Sequence, residues 1–291
     1  VILAGGFIFW KDITGLVVKG QQTENPEKTR KKKGEQKGGE EPSPAINVSQ
    51  KWELPAELKE VSGIAYLSED RFACIQDEQG IIYIYNTSSK QIEKQIPFTG
   101  PGDFEDIALV GTTAWVVRAD GRLFEVDMNG KAVKEHTTPL TVEQNIEGLT
   151  YDRKNNRLLI TVKDEEPGGK SYKGIYAFDL AKKTMAAEPV SKIDVNNQIF
   201  QSTGEKKRKI VKPSAIGIHP TTADLYIADG PNSRLLIMDS AGTIKNLLQL
   251  GKSFEQPEGI AFGPQGEIFI SNEGNKSPAN ILQISVEEGL K

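Results

Sequence analysis

Ser62-Gly63-Ile64-Ala65-Tyr66 returns along the chain as Glu105-Asp106-Ile107-Ala108-Leu109, Glu147-Gly148-Leu149-Thr150-Tyr151, Ser214-Ala215-Ile216-Gly217-Ile218 and Glu258-Gly259-Ile260-Ala261-Phe262. Successive copies lie 43, 42, 67 and 44 residues apart. A period in the low forties is the length of a four-stranded propeller blade, so the long interval reads as one unit with an insertion of about 24 residues. Each copy is followed by a second apolar run (Arg71–Ile75, Ala114–Val117, Arg157–Val162, Asp224–Ala228, Glu267–Ser271) and then by a third, as in Ile81–Tyr85 and Arg234–Met238. A more variable fourth run follows, such as Gln91–Pro97 or Thr243–Leu250. Short runs rich in Ile, Val, Tyr and Phe, bounded by Gly, Asn and Asp, are strand signals, and no window carries a helical period.

The expected fold is all-β, a single β-propeller of five four-stranded blades. The last motif leaves room for about three strands before the end of the sequence. The run Val48–Leu54, ahead of the first motif, is therefore expected to complete the last blade and close the ring, leaving no open inner edge. Six blades are the alternative, but the surplus in the long interval is too short to hide one. That interval carries a Gly-rich loop, Asp164–Lys173, and a basic stretch, Phe200–Lys212. Rim loops of this kind carry function more often than scaffold strands do, although a solvated connection has the same composition.

Ahead of the repeats the composition changes. Residues 1–19 open on an apolar run, Val1–Trp10, which reads as the remnant of a hydrophobic anchor or export segment. Ten residues fall short of the roughly 20 needed to span a bilayer. Residues 20–46 contain almost no large apolar side chain and read as a flexible charged linker. Residues 47–291 are the propeller. The expected location is the cell envelope, on the periplasmic or extracellular face, with the membrane engaged through the amino-terminal segment.

Composition narrows the chemistry. A single cysteine, Cys74, excludes an internal disulfide framework, and two histidines exclude a His-rich metal site. A net charge of −4 argues against nucleic acid as a partner. There is no G-x-S-x-G elbow, P-loop or H-E-x-x-H motif. No catalytic residue is assigned: Cys74 reads as a buried apolar side chain, His136 and His219 as surface side chains.

The first strand of each propeller blade lines the central channel, so the repeat delivers one side chain per blade toward the axis. That column reads Ser62, Glu105, Glu147, Ser214 and Glu258. Three carboxylates on one ring repel each other and are costly to desolvate without a counter-charge. A hard cation such as Ca²⁺, taking six to eight oxygen ligands, answers both costs, with Glu105, Glu147 and Glu258 as the expected metal ligands. The alternative is that these glutamates cap strand starts around a water-filled channel. A second column, at the ends of the second strands, is expected to form a ligand-binding rim. It reads Asp77-Glu78, Arg118, Lys163-Asp164, Asp229 and Asn272-Glu273; Asp77, Arg118, Asp164, Asp229, Asn272 and Glu273 are its rim candidates, joined by Ser62 and Ser214 from the first column.

These residues also carry a resemblance. Gln256-Pro257-Glu258-Gly259-Ile260-Ala261-Phe262 with Glu267–Glu273, the phrase Lys212-Pro213-Ser214-Ala215-Ile216, and the order of Ser and Glu motifs resemble the SdiA-regulated (YjiK-like) β-propeller family of bacteria. The resemblance covers about residues 48–288 and implies an exported or membrane-tethered propeller; it says little about activity. Asp106 departs from the Gly or Ala of the other copies and adds a charge near the axis. The expected function is binding of a small polar ligand or a partner protein at the channel mouth, with a structural calcium ion near the axis. The alternative is a calcium-dependent hydrolase of lactonase, phosphotriesterase or phytase type; the non-enzymatic reading is preferred.

Overall fold

A computed structural model describes residues 46–129, 132–168, 171–200 and 210–287. The anchor segment 1–19, nearly all of the linker 20–46, and the basic residues 201–209 lie outside the described residues. Within them the chain forms five antiparallel sheets and a few single-turn 3₁₀ segments, and no helix is long and apolar enough to cross a membrane.

Each sheet begins on a motif copy. The five inner strands are Val61–Ser68, Phe104–Val110, Ile146–Asp152, Ala215–Ile218 and Pro257–Phe262, which define blades 1 to 5. Every inner strand touches the inner strands of both neighbouring blades, blade 5 against blade 1 included, so the ring is closed. In blades 1, 2 and 4 the strands follow chain order outward. The third blade has its outer edge split between Thr184–Met185 and Ser191–Asp194, both paired with Tyr172–Asp179. That split edge and the connection after it absorb the long interval, and no sixth blade forms.

Closure follows the sequence expectation. The strand Ile46–Glu53 pairs antiparallel with Asn280–Val286 and becomes the outer strand of blade 5. It starts two residues earlier than the apolar pattern suggests.

The core is divided like the sheets. Five clusters of buried side chains fill the five clefts between adjacent blades. Between blades 1 and 2, for example, Ile82, Phe98, Phe104, Val116 and Phe124 pack together, with the three phenylalanine rings in edge or tilted contact at 5.1–5.7 Å. Burying one such ring contributes about 1.5–3 kcal/mol. Inner strands meet most tightly at the motif glycines. A Cβ on Gly63 would stand 2.7 Å from the Asp106 Cα, so the glycine of the repeat is what lets two blades approach at the axis.

Candidate functional site

Four of the five motif residues sit on β-bulges. The pairing of inner and second strands slips at Ser62, Glu105, Glu147 and Glu258, each of which is the extra residue opposite no partner. A bulge bends the strand and re-aims the side chain it carries. In blade 4 Ser214 stands immediately before the inner strand, its N–H donating to the Ala228 carbonyl.

The re-aimed side chains meet at one mouth of the channel, in an open cavity of about 290 Å³. Glu105, Glu147 and Glu258 all line it, as the sequence column predicts, together with Ser62. From the second column Asp77 and Glu273 line it too. Glu60, Asp103, Asn145 and Gln256 join them, each standing two residues before a motif residue. Lys163, at the end of the second strand of blade 3, is the one cationic side chain among the described lining residues. Seven carboxyl groups thus face a single ammonium.

The remaining rim candidates have other partners. Arg118 holds Asp120 through two contacts of 3.0 and 2.6 Å and covers the Phe124 ring. Asp164 is paired with Lys212 at 2.9 Å and accepts from the Asn145 amide. Asp229 is fully buried, bonded to the equally buried Arg234 and to Asn232 Nδ2. Asn272 is buried and donates to Asn280 Oδ1 at 3.0 Å. Ser214 is buried and donates at 2.7 Å to the Pro257 carbonyl of blade 5; Ser62 does the same to Phe104 of blade 2. Both serines therefore brace the peptide just ahead of a glutamate in the next blade, Glu105 and Glu258, which gives the two serine copies a structural reason. Arg118, Asp164, Ser214, Asp229 and Asn272 do not line the cavity.

Asp106 is also accounted for. Its buried carboxylate accepts from its own neighbour Ile107 N–H at 2.8 Å and from Leu149 N–H of blade 3 at 2.7 Å. It ties two inner strands together below the cavity.

Electrostatics at the mouth are strained. Burial, then the charge of Glu147 and that of Asp103, pushes the Glu105 carboxyl up to about 10. Burial and the Glu147 charge raise Glu258 to about 8. Glu147 rises only to about 7: burial lifts it, while the Lys163 ammonium at 2.9 Å pulls it back. Asp77 reaches about 6 through burial and the charges of Glu60 and Glu273. Burial works against the Lys163 charge as well, but Glu147, Glu258 and Glu105 outweigh it and its pKa is raised. Such a site holds its acids partly protonated and gains from any added positive charge.

The donor set fits a hard cation in chemistry, being all oxygen apart from Lys163 and two amides. It is not gathered to a point: among the described residues no three acidic, histidine or cysteine side chains converge to hold a bare ion. The carboxyls instead ring a space with room for several waters or a small organic group.

The model of the SdiA-regulated family matches residues 45–277, and the chain belongs to that family. Among solved structures, glutaminyl cyclase of Myxococcus xanthus is similar in fold, at 14% identity, covering 84% of this chain and 97% of its own, with a TM-score of 0.59. Virginiamycin B lyase of Staphylococcus aureus is 16% identical over 84% of this chain and 74% of its own, with a TM-score of 0.46. At 14% identity the likeness to the cyclase is one of fold alone. No curated protein matches the chain.

Proposed function

We propose that this member of the SdiA-regulated family is a binding propeller whose acidic mouth takes a cationic polar ligand, Ca²⁺ with part of its water shell being the simplest form. One observation carries the reading. Bulges on three blades aim Glu105, Glu147 and Glu258 into one cavity that holds seven carboxyls against one ammonium. Like charges so placed cost free energy in the empty site, and a cation recovers it. Calcium suits an open ring of oxygens because it tolerates variable geometry and water ligands, whereas Mg²⁺ demands a tight octahedron. The apolar run at Val1–Trp10 and the charged stretch after it support tethering of this propeller to an envelope membrane.

The test is calorimetric titration of chelator-treated protein with Ca²⁺, paired with melting curves. Saturable binding, a higher melting temperature with the ion, and at least a tenfold loss of affinity in Glu147→Gln are expected. Absence of both heat and thermal shift in the wild-type protein overturns the proposal. A panel of lactone and phosphoester substrates, run alongside, is expected to show no turnover.

A further inference from the structure

Lys163 is placed unlike any other side chain of the mouth. It extends from the end of the second strand of blade 3 into the cavity, and its Nζ lies 2.9 Å from Glu147 Oε1, which also accepts from Asn145 Nδ2 at 3.0 Å. Its charge acts on Glu105 and Glu258 as well as on Glu147, so it is the positive charge shared by all three motif glutamates. The backbone beneath it is fixed. Lys163 N–H donates to the Asn145 carbonyl at 2.8 Å, and the Lys163 carbonyl accepts from Lys173 Nζ at 2.9 Å. The ammonium is carried beyond that fixed backbone on a four-carbon stem with several rotatable bonds. Its side chain is 22% exposed, which leaves the open mouth as the way out.

We infer that Lys163 is a tethered counter-ion, an autoinhibitory contact that occupies the cation position of the mouth and must be displaced from Glu147 when a ligand binds. The inference rests on the cation-binding reading of this cavity and deepens it. Lysine is suited to the role because its ammonium is a compact charge on a flexible stem, strongly hydrated once released, whereas a guanidinium fork would hold the carboxylate at two points. The consequence is a threshold. A ligand gains its contacts with the three glutamates less what is lost when Glu147 and Lys163 part.

The experiment compares Ca²⁺ titrations of the full chain with Lys163→Met, Lys163→Arg and Lys212→Met. Lys163→Met is expected to bind Ca²⁺ at least tenfold more tightly than wild type, and Lys163→Arg to stay within about threefold of it. Lys212 pairs with Asp164 and does not line the cavity, so Lys212→Met removes the same charge from nearby and is expected to change affinity by less than about twofold. If Lys163→Met lacks a cooperative melt, Lys163→Gln is read by the same criterion. Wild-type binding with unchanged or weaker affinity in Lys163→Met overturns this inference and leaves the cation-binding reading standing. Equal gains in Lys163→Met and Lys212→Met overturn it too, since general charge then explains the effect. Absence of Ca²⁺ binding by the wild-type protein ends both.

Discussion

Replacing Glu258 by glutamine is expected to stabilise the ligand-free protein, and to do so only at neutral to alkaline pH. Glu258 is 9% exposed, and burial together with the Glu147 charge raises its carboxyl from 4.5 to about 8. A folded-state value above the unfolded one means that the protonated form favours folding. That contribution is fully present below about pH 4.5 and is lost as pH rises through 8. Every tenfold change in proton affinity corresponds to about 1.4 kcal/mol, so full ionisation costs on the order of 5 kcal/mol before the site relaxes. Water entering the open mouth and small movements of the chain reduce this to roughly 2 kcal/mol. Glutamine mimics the neutral acid at every pH. In a domain of this size about 2 kcal/mol moves the melting temperature by roughly 4–8 °C. The assay is differential scanning calorimetry of both proteins in chelator, at pH 5 and pH 8.5. An increase of that size at pH 8.5 with near-identical melting at pH 5 is the expected result. Equal or lower stability of the variant at pH 8.5 would show that the Glu258 charge is already satisfied, and the strained-mouth argument would fail. Such a cost, kept at a site that glutamine would relieve, is what a functional acid looks like in energetic terms.

Two further substitutions probe the scaffold. Ser214→Ala removes a 2.7 Å bond to the Pro257 carbonyl and an acceptor for Gly230 N–H, and is expected to cost about 1–2 kcal/mol in urea denaturation with an unchanged slope; an unshifted midpoint refutes the bracing role. Asp229→Ala strips the buried Arg234 guanidinium of its carboxylate and is expected to cost about 3–5 kcal/mol while leaving Ca²⁺ affinity within about twofold, because Asp229 does not line the cavity. A selective loss of binding without loss of stability would put Asp229 back on the rim.

The architecture is legible in the sequence because propeller blades repeat and the repeat names the inner strand. The motif position maps onto the channel, so Glu105, Glu147 and Glu258 are expected together from the repeat alone. What re-aims them is not. A bulge is a one-residue slip of register, and nothing in Glu-Gly-Ile or Glu-Asp-Ile marks it. Glu60, Asp103, Asn145 and Gln256 do leave a trace: each stands two before a motif residue, immediately ahead of an inner strand. Asp229 and Asn272 illustrate the opposite difficulty. Polar residues at strand ends read as rim, yet Asp229 faces Arg234 across its own hairpin and Asn272 faces Asn280, and such cross-strand pairs turn them inward. Lys163 belongs to the same second column, and its importance is visible only when the seven acids around it are counted in space.

The pairing of Ile46 with Val286 has a consequence for biosynthesis. The amino-proximal strand has no ladder to join until residues 280–286 have left the ribosome, so four sheets can assemble during translation while the fifth waits. Until that moment the nascent protein is an open arc with two raw edges, and its hold on itself depends on a handclasp between segments more than two hundred positions apart. Shortening the chain before Asn280 therefore should not trim the molecule; it should leave it unfastened.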